Sequence, residues 1–149
     1  MSAISNGTKT VCISTVTSQG VSDDHNVDLP DYGRDRFEDV SFITNMTWLL
    51  MCNYAQTGHY GGPLAYSQYN VASHLAGPEL GGLRYDIRRP KHPYADNFML
   101  AGGHNVPACY GLWIVLYETL ARQHEATGDD RYKVDPNTGF YAIDTIGFR

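Results

Sequence analysis

Two long stretches of this chain place apolar residues at intervals of three and four. Phe37, Val40, Ile43, Thr44, Thr47, Trp48, Met51 and Tyr54 mark the first, and Leu49, Leu50 and Ala55 add a second apolar face. That spacing predicts a long, well-buried helix over 37–57. Val106, Tyr110, Trp113, Ile114, Tyr117 and Leu120 mark the second, over 105–127, with Leu112, Val115 and Leu116 widening the stripe. Pro107 fits its first turn, where a missing N–H costs nothing. Between them a shorter helix is predicted over 64–76, with Leu64, Tyr66, Val71 and Leu75 on its apolar positions. His74 on that helix is expected to be partly exposed rather than a ligand.

Two glycine-rich corners interrupt the pattern. Gly58-His59-Tyr60-Gly61-Gly62-Pro63-Leu64 stops the first helix, with Gly58 as its end, and opens the next with proline near its first turn. Phe98-Met99-Leu100-Ala101-Gly102-Gly103-His104-Asn105 runs from a short buried strand, expected over 97–101, through two glycines into the third helix. Each corner thus places a histidine, His59 or His104, at a helix entrance. Free N–H groups and the positive end of the helix dipole favour an anion there, and glycine lets the anion approach the backbone. The pair suggests a site for a phosphorylated ligand.

The remaining segments carry weaker signals. Residues 1–36 are rich in Ser, Thr, Asn, Asp and Gly, with one strand signal around Val11, Ile13 and Val16, and are expected to form an extended arm ahead of a single domain over 37–149. Asp23, Asp24, His25 and Asp28 could be taken for metal ligands, but acidic residues in a polar leader are usually solvated, and that reading is preferred. Asp35 is a candidate N-cap for the first helix. Arg88, Arg89 and Lys91 lie in a proline-interrupted connection and are expected to be solvated or ion-paired rather than a phosphate site. Residues 140–148 have a weak strand pattern.

Composition narrows the classes. The chain has 149 residues, 42% hydrophobic and 18% charged, a globular balance that excludes a disordered or collagen-like chain. A net charge of −5, without any run of Lys and Arg, argues against nucleic acid as a partner. Cys12, Cys52 and Cys109 are widely spaced and odd in number, which indicates reduced thiols rather than a disulfide framework. No apolar stretch suits a signal peptide or a membrane span, so a cytoplasmic location is expected and no membrane association.

With both corners in register, the chain resembles the N-terminal part of the transketolase family of thiamine-diphosphate enzymes over roughly 37–127. Gly58 to Leu64 is similar to that family's Gly-His-Pro-Gly-Gly-Pro-Leu loop after a long helix. Arg84-Tyr85-Asp86, then Asp96-Asn97-Phe98-Met99-Leu100-Ala101-Gly102-Gly103-His104, follow the family's Arg-Tyr-Asp and Asp-Arg-Phe-Val-Leu-Ser-Asn-Gly-His elements in order and spacing. The homodimeric type of pyruvate dehydrogenase E1 component, a 2-oxo acid dehydrogenase, carries a similar glycine-histidine loop.

The resemblance implies an α/β fold: the N-terminal part of a thiamine-diphosphate-binding domain, helix-rich with the start of a parallel sheet. It implies that His59 faces the carbonyl substrate and helps proton transfer, and that His104, a second catalytic residue, lies close to the substrate and, with Gly103, to the cofactor diphosphate. The chemistry agrees, since imidazole donates or accepts a proton near neutral pH. Tyr60 stands where the family has proline, and Ala101-Gly102 where it has Ser-Asn, which leaves donor and acceptor open. The Gly-Asp-Gly…Asn segment that holds Mg²⁺ is not found, because Gly128-Asp129-Asp130 lacks the second glycine and a preceding apolar strand. The expectation is therefore a fragment or split subunit, inactive alone and part of an oligomer, with Mg²⁺ ligands and the activating glutamate on complementary chains. A non-catalytic scaffold derived from this fold is the competing class.

Overall fold

A computed structural model describes residues 11–12, 26–27 and 34–148. The chain divides into two units, Met1–Arg36 and Phe37–Arg149. In the first, β1 (Val11–Cys12) pairs antiparallel with β2 (Asn26–Val27), Val11 opposite Val27. The rest of the fold is helix-rich: α1 (Arg34–Ala55), α2 (Gly61–Leu75) and α3 (Val106–Thr127), with short 3₁₀ turns at Pro78–Leu80, Gly103–Asn105, Asp130–Tyr132 and Ala142–Gly147.

The core lies where the three helices meet. Trp48, Met51, Cys52 and Ala108 form its centre, with Tyr66, Tyr110 and Phe148 packed on its edge. Full burial of a large apolar side chain is worth about 1.5–3 kcal/mol, so Trp48, Met51, Leu112 and Val71 together dominate the packing. Gly111 brings α3 against α1: a Cβ there would lie 2.9 Å from the Thr44 carbonyl oxygen and 3.0 Å from Trp48 Cβ. Asn70 ties α2 to α3 by donating from Nδ2 to the Ala108 carbonyl at 3.2 Å, a buried bond. α3 ends at Gly128, whose φ of 67° is the left-handed conformation that glycine supplies at helix ends.

Several expectations are corrected. Among the described residues the one ladder is the antiparallel β1–β2 pair, so no parallel sheet begins here. Residues 97–101 run without a ladder and Met99 is 89% exposed; a strand needs a neighbour for its N–H and C=O groups, and none of the described segments pairs with this one. Residues 140–148 wind into a 3₁₀ turn instead of a strand, because the Asp144 carboxylate accepts the Tyr141 N–H (2.7 Å) and Glu118 accepts that of Ala142 (2.9 Å). α1 starts at Arg34, so Asp35 lies inside the helix rather than capping it. α2 starts three residues before Leu64, since glycine carries little penalty in a first turn. His74 is buried, not partly exposed. Of the strand signal around Val11, Ile13 and Val16, only Val11 falls among the described residues; Asp23, Asp24, His25 and Asp28 lie outside them.

Candidate functional site

The first corner is built by the exit from α1. Gln56 takes a left-handed φ of 52°, the Thr57 N–H donates to the Cys52 carbonyl at 3.2 Å, and Gly58 follows at φ 129°. Glycine is required at 58 twice over, since a Cβ would also lie 2.7 Å from Cys52 Sγ. His59 then projects exposed from the corner, and the Tyr60 ring sits 6.0 Å from that of Trp48. The Leu64 N–H donates to the Tyr60 carbonyl at 3.1 Å and starts α2.

The second corner is a single 3₁₀ turn. Gly102 is extended, Gly103–Asn105 turns with the Asn105 N–H donating to the Gly102 carbonyl at 2.9 Å, and α3 begins at Val106. Neither α2 nor α3 has a side-chain N-cap, and neither carries an acidic residue in its first turn. Among the described residues, therefore, no acidic side chain in the first turn balances the leading N–H groups of either helix.

The two corners meet. The rings of His59 and His104 stand 5.9 Å apart, edge to face at 63°. Gly62, in the first turn of α2, backs directly onto His104 and Asn105: a Cβ there would collide with Asn105 Oδ1 and lie 2.7 Å from His104 Cδ2. Among the described residues Asn105 Oδ1 is buried without a hydrogen-bond partner. A cleft of about 700 Å³ opens beside the pair, with Gly58 and Gly103 backbone on its rim and Met51, Tyr110, Phe140 and Phe148 on its walls. That volume suits a small organic ligand or cofactor.

Two histidines and glycine backbone beside an apolar wall can exchange protons with a carbonyl compound and hold an anion. Neither Cys52 nor Cys109 lines the cleft. Burial pushes the Cys109 thiol up to about 11, opposed by its hydrogen bond with Tyr66, and burial raises Cys52 as well. Among the described residues no three of His, Cys, Asp and Glu converge to hold a metal ion. Gly103, His104 and the start of α3 line the cleft and offer donors suited to an anionic group, with the Asp144 carboxylate on the same cleft, and these residues do not assemble a site for Mg²⁺.

The other candidates lie elsewhere. The Arg88 guanidinium grips Asp86 at 2.8 Å and donates to the Arg131 carbonyl, which holds the Asp86 carboxyl below the usual range. Asp129 is taken by Arg131 at 2.6 Å, so the Gly128-Asp129-Asp130 segment serves as a helix-exit turn. His74 donates from Nδ1 to the Asn70 carbonyl at 2.8 Å and packs edge-on against Tyr85 and Phe98, away from the two corners. Sequence reasoning missed Gly62, Asn105, Phe140 and Phe148. The three-and-four spacing signals none of them, because their role arises from contacts between distant segments.

Comparison with family models, with curated proteins and with solved structures finds no match for this chain.

Proposed function

We propose that this chain is the N-terminal part of the cofactor-binding half of a transketolase-like, thiamine-diphosphate-dependent enzyme, acting with complementary chains in transfer of a ketol or aldehyde unit between carbonyl substrates. The observation that carries the reading is the convergence of His59 and His104 at one cleft, each on a glycine-bearing helix entrance. Nothing in helix periodicity requires those corners to meet. A shared site gives a reason for both.

Thiamine diphosphate, when bound, supplies the carbon nucleophile needed to make and break carbon–carbon bonds next to a carbonyl. The residues of this chain do the rest of the work assigned to it here. Gly103 backbone and His104 hold the diphosphate end, where uncapped N–H groups favour an anion. His59, free at the rim, holds or accepts a proton at the substrate oxygen, work typically worth about 10²- to 10⁴-fold in rate. Tyr110, Phe140 and Phe148 exclude water from one wall. Mg²⁺ ligands come from a complementary chain in this reading, and the chain alone is inactive.

The test is purification of the tagged chain from its own cells, followed by sequencing of whatever accompanies it. The expected companion contains a Gly-Asp-Gly…Asn segment, and the purified pair transfers a ketol unit only when thiamine diphosphate and Mg²⁺ are added. Turnover of a 2-oxo acid with no aldehyde acceptor would assign the pair to the oxo-acid dehydrogenase type. A companion lacking the motif, with no cofactor-dependent activity, would leave the scaffold reading in its place.

A further inference from the structure

We propose that His74 is an acid-operated catch: when its ring takes up a second proton it lets go of Tyr85 and Phe98, and the neck of the loop over 84–96 opens. The loop is closed at its base by a pair of bonds. The Asp96 N–H donates to the Arg84 carbonyl at 2.9 Å, and the Arg84 N–H to the Asp96 carboxylate at 2.7 Å. Just before them the Leu83 N–H donates to the Ser73 carbonyl at 2.7 Å, which fixes the base to the last turn of α2. Tyr85 and Phe98 flank this neck, one on each limb, and both turn to the His74 ring: Tyr85 at 5.4 Å and 84°, Phe98 at 5.1 Å and 65°. The imidazole is the surface on which the limbs are joined.

That surface suits a neutral ring only. His74 is 8% exposed. Its Nδ1–H is committed to the Asn70 carbonyl, so the second proton must go to Nε2, which is buried without a hydrogen-bond partner among the described residues. A buried charge with an unpaired donor is strongly disfavoured, and opening lets water solvate it. The neighbours offer no relief. α3 meets the ring's surroundings with Leu116 and Leu120; the titratable groups that share its adjoining cavities are Arg84, Tyr85, Asp86, Arg88, His92 and Tyr94 from the connection, and Arg131 and Tyr132 from the turn after α3. Asp86 is the one carboxylate among them, and Arg88 grips it at 2.8 Å. Desolvation accordingly outweighs the Asn70 bond and lowers the ring's proton affinity.

There is room for the release and a limit to it. Cavities of about 600 and 430 Å³ adjoin the His74 and Tyr85 rings, so the phenol can swing aside without displacing a helix. Beyond the neck, the Tyr117 hydroxyl donates to the Ile87 carbonyl at 2.7 Å, which keeps the middle of the loop on α3. Opening is therefore local, of the kind that frees a few backbone bonds while the core stays folded. His74 lies outside the cleft of His59 and His104, and the inference does not rest on the proposed activity.

Amide hydrogen exchange of the full chain, read residue by residue by NMR and corrected for the intrinsic effect of pH, tests it. Between about pH 7.5 and about pH 5.5 the opening constant of the Leu83, Arg84 and Asp96 amides should rise about tenfold, the gain set by an imidazole that titrates at about 6.5 once freed into water and stays neutral while clamped. Amides around Met51 in α1 and Leu112 in α3 should not follow. His74→Gln, which keeps a donor for the Asn70 carbonyl but has no proton to gain, should make the neck indifferent to pH, and so should His74→Phe, which keeps a ring under Tyr85 and Phe98. His92→Gln should leave the rise intact. A wild-type neck that opens equally at both pH values overturns the proposal. So does a rise that persists in the His74 variants, one that His92→Gln removes, or one shared by the whole core.

Discussion

Gly62 and His104 lie so close that the glycine leaves no room for a methyl group: a Cβ at 62 would stand 2.7 Å from His104 Cδ2 and 2.9 Å from Nε2. The start of α2 therefore forms the backing of the second histidine. Gly62→Ala should push the imidazole out of place while leaving both helices formed. A misplacement of about 1 Å in a reacting group can cost about 10²-fold in rate, and that is the fall in turnover that the proposed function predicts for the chain with its complementary partner. Kinetics with parallel thermal melting check it; an unchanged rate would mean that the position of His104 is unimportant.

His59→Ala and His104→Ala should each lower turnover by about 10²- to 10⁴-fold and leave the melting temperature nearly unchanged. Both side chains are exposed at glycine corners, so truncation opens no cavity in the core. His104→Ala should also weaken cofactor affinity. Activity loss that simply follows a lowered melting temperature would make either histidine a structural corner residue.

Calorimetric titration of the isolated chain with thiamine diphosphate should give weak binding, with or without Mg²⁺. The described residues do not assemble three metal ligands, and a diphosphate needs its counter-ion. Tight, Mg²⁺-dependent binding to the pure chain would put the metal ligands within it.

His74 should make stability fall in mild acid. Burial holds its pKa below the usual value near 6.5, partly offset by its bond to the Asn70 carbonyl. The sign follows: below about 6.5 the unfolded chain takes up a proton that the folded chain refuses, so the native state loses stability until the lower folded value is passed. Urea unfolding at about pH 7.5 and about pH 5 should expose the loss, and His74→Leu should remove its share of the slope. An equal slope in the variant would assign the acid sensitivity to other groups.

Gly111→Ala should destabilise the helix crossing. The added methyl meets the Thr44 carbonyl and Trp48 Cβ, both fixed on α1, and overpacking of about 1–3 kcal/mol exceeds the gain of at most ~1 kcal/mol in helix propensity. A net loss of about 1–2 kcal/mol is expected in denaturant unfolding. A neutral result would mean that α1 shifts freely against α3.

The helices were legible in the sequence because Trp48, Met51, Ala108 and Leu112 fall at the spacing that one buried face requires. The corners were legible too, since glycine clusters stop helices for a local reason. Their meeting was not: Gly62 reads as a helix breaker until Asn105 and His104 are seen behind it. The burial of His74 is not legible in the sequence, because Tyr85 and Phe98, which pack against it, come from a connection with no periodicity. The strand expected over 97–101 has apolar residues of the right kind, but pairing depends on a neighbour that its own sequence does not supply. Residues 140–148 turned on two carboxylates, Asp144 and Glu118, that a strand pattern does not weigh.

The left-handed Gln56 bears on the order of events when the chain folds. The bonds that close this exit, Gln56 N–H to the Asn53 carbonyl and Thr57 N–H to that of Cys52, join residues at most five apart. Contacts this local form without waiting for distant loops to close. The direction in which His59 leaves α1 is thus set as the helix itself forms. His104 acquires its backing only when α2 and the start of α3 come together, a longer closure with a larger entropic cost. The two histidines are expected to reach their places at different times, and an intermediate trapped between those times would hold one half of the cleft already built.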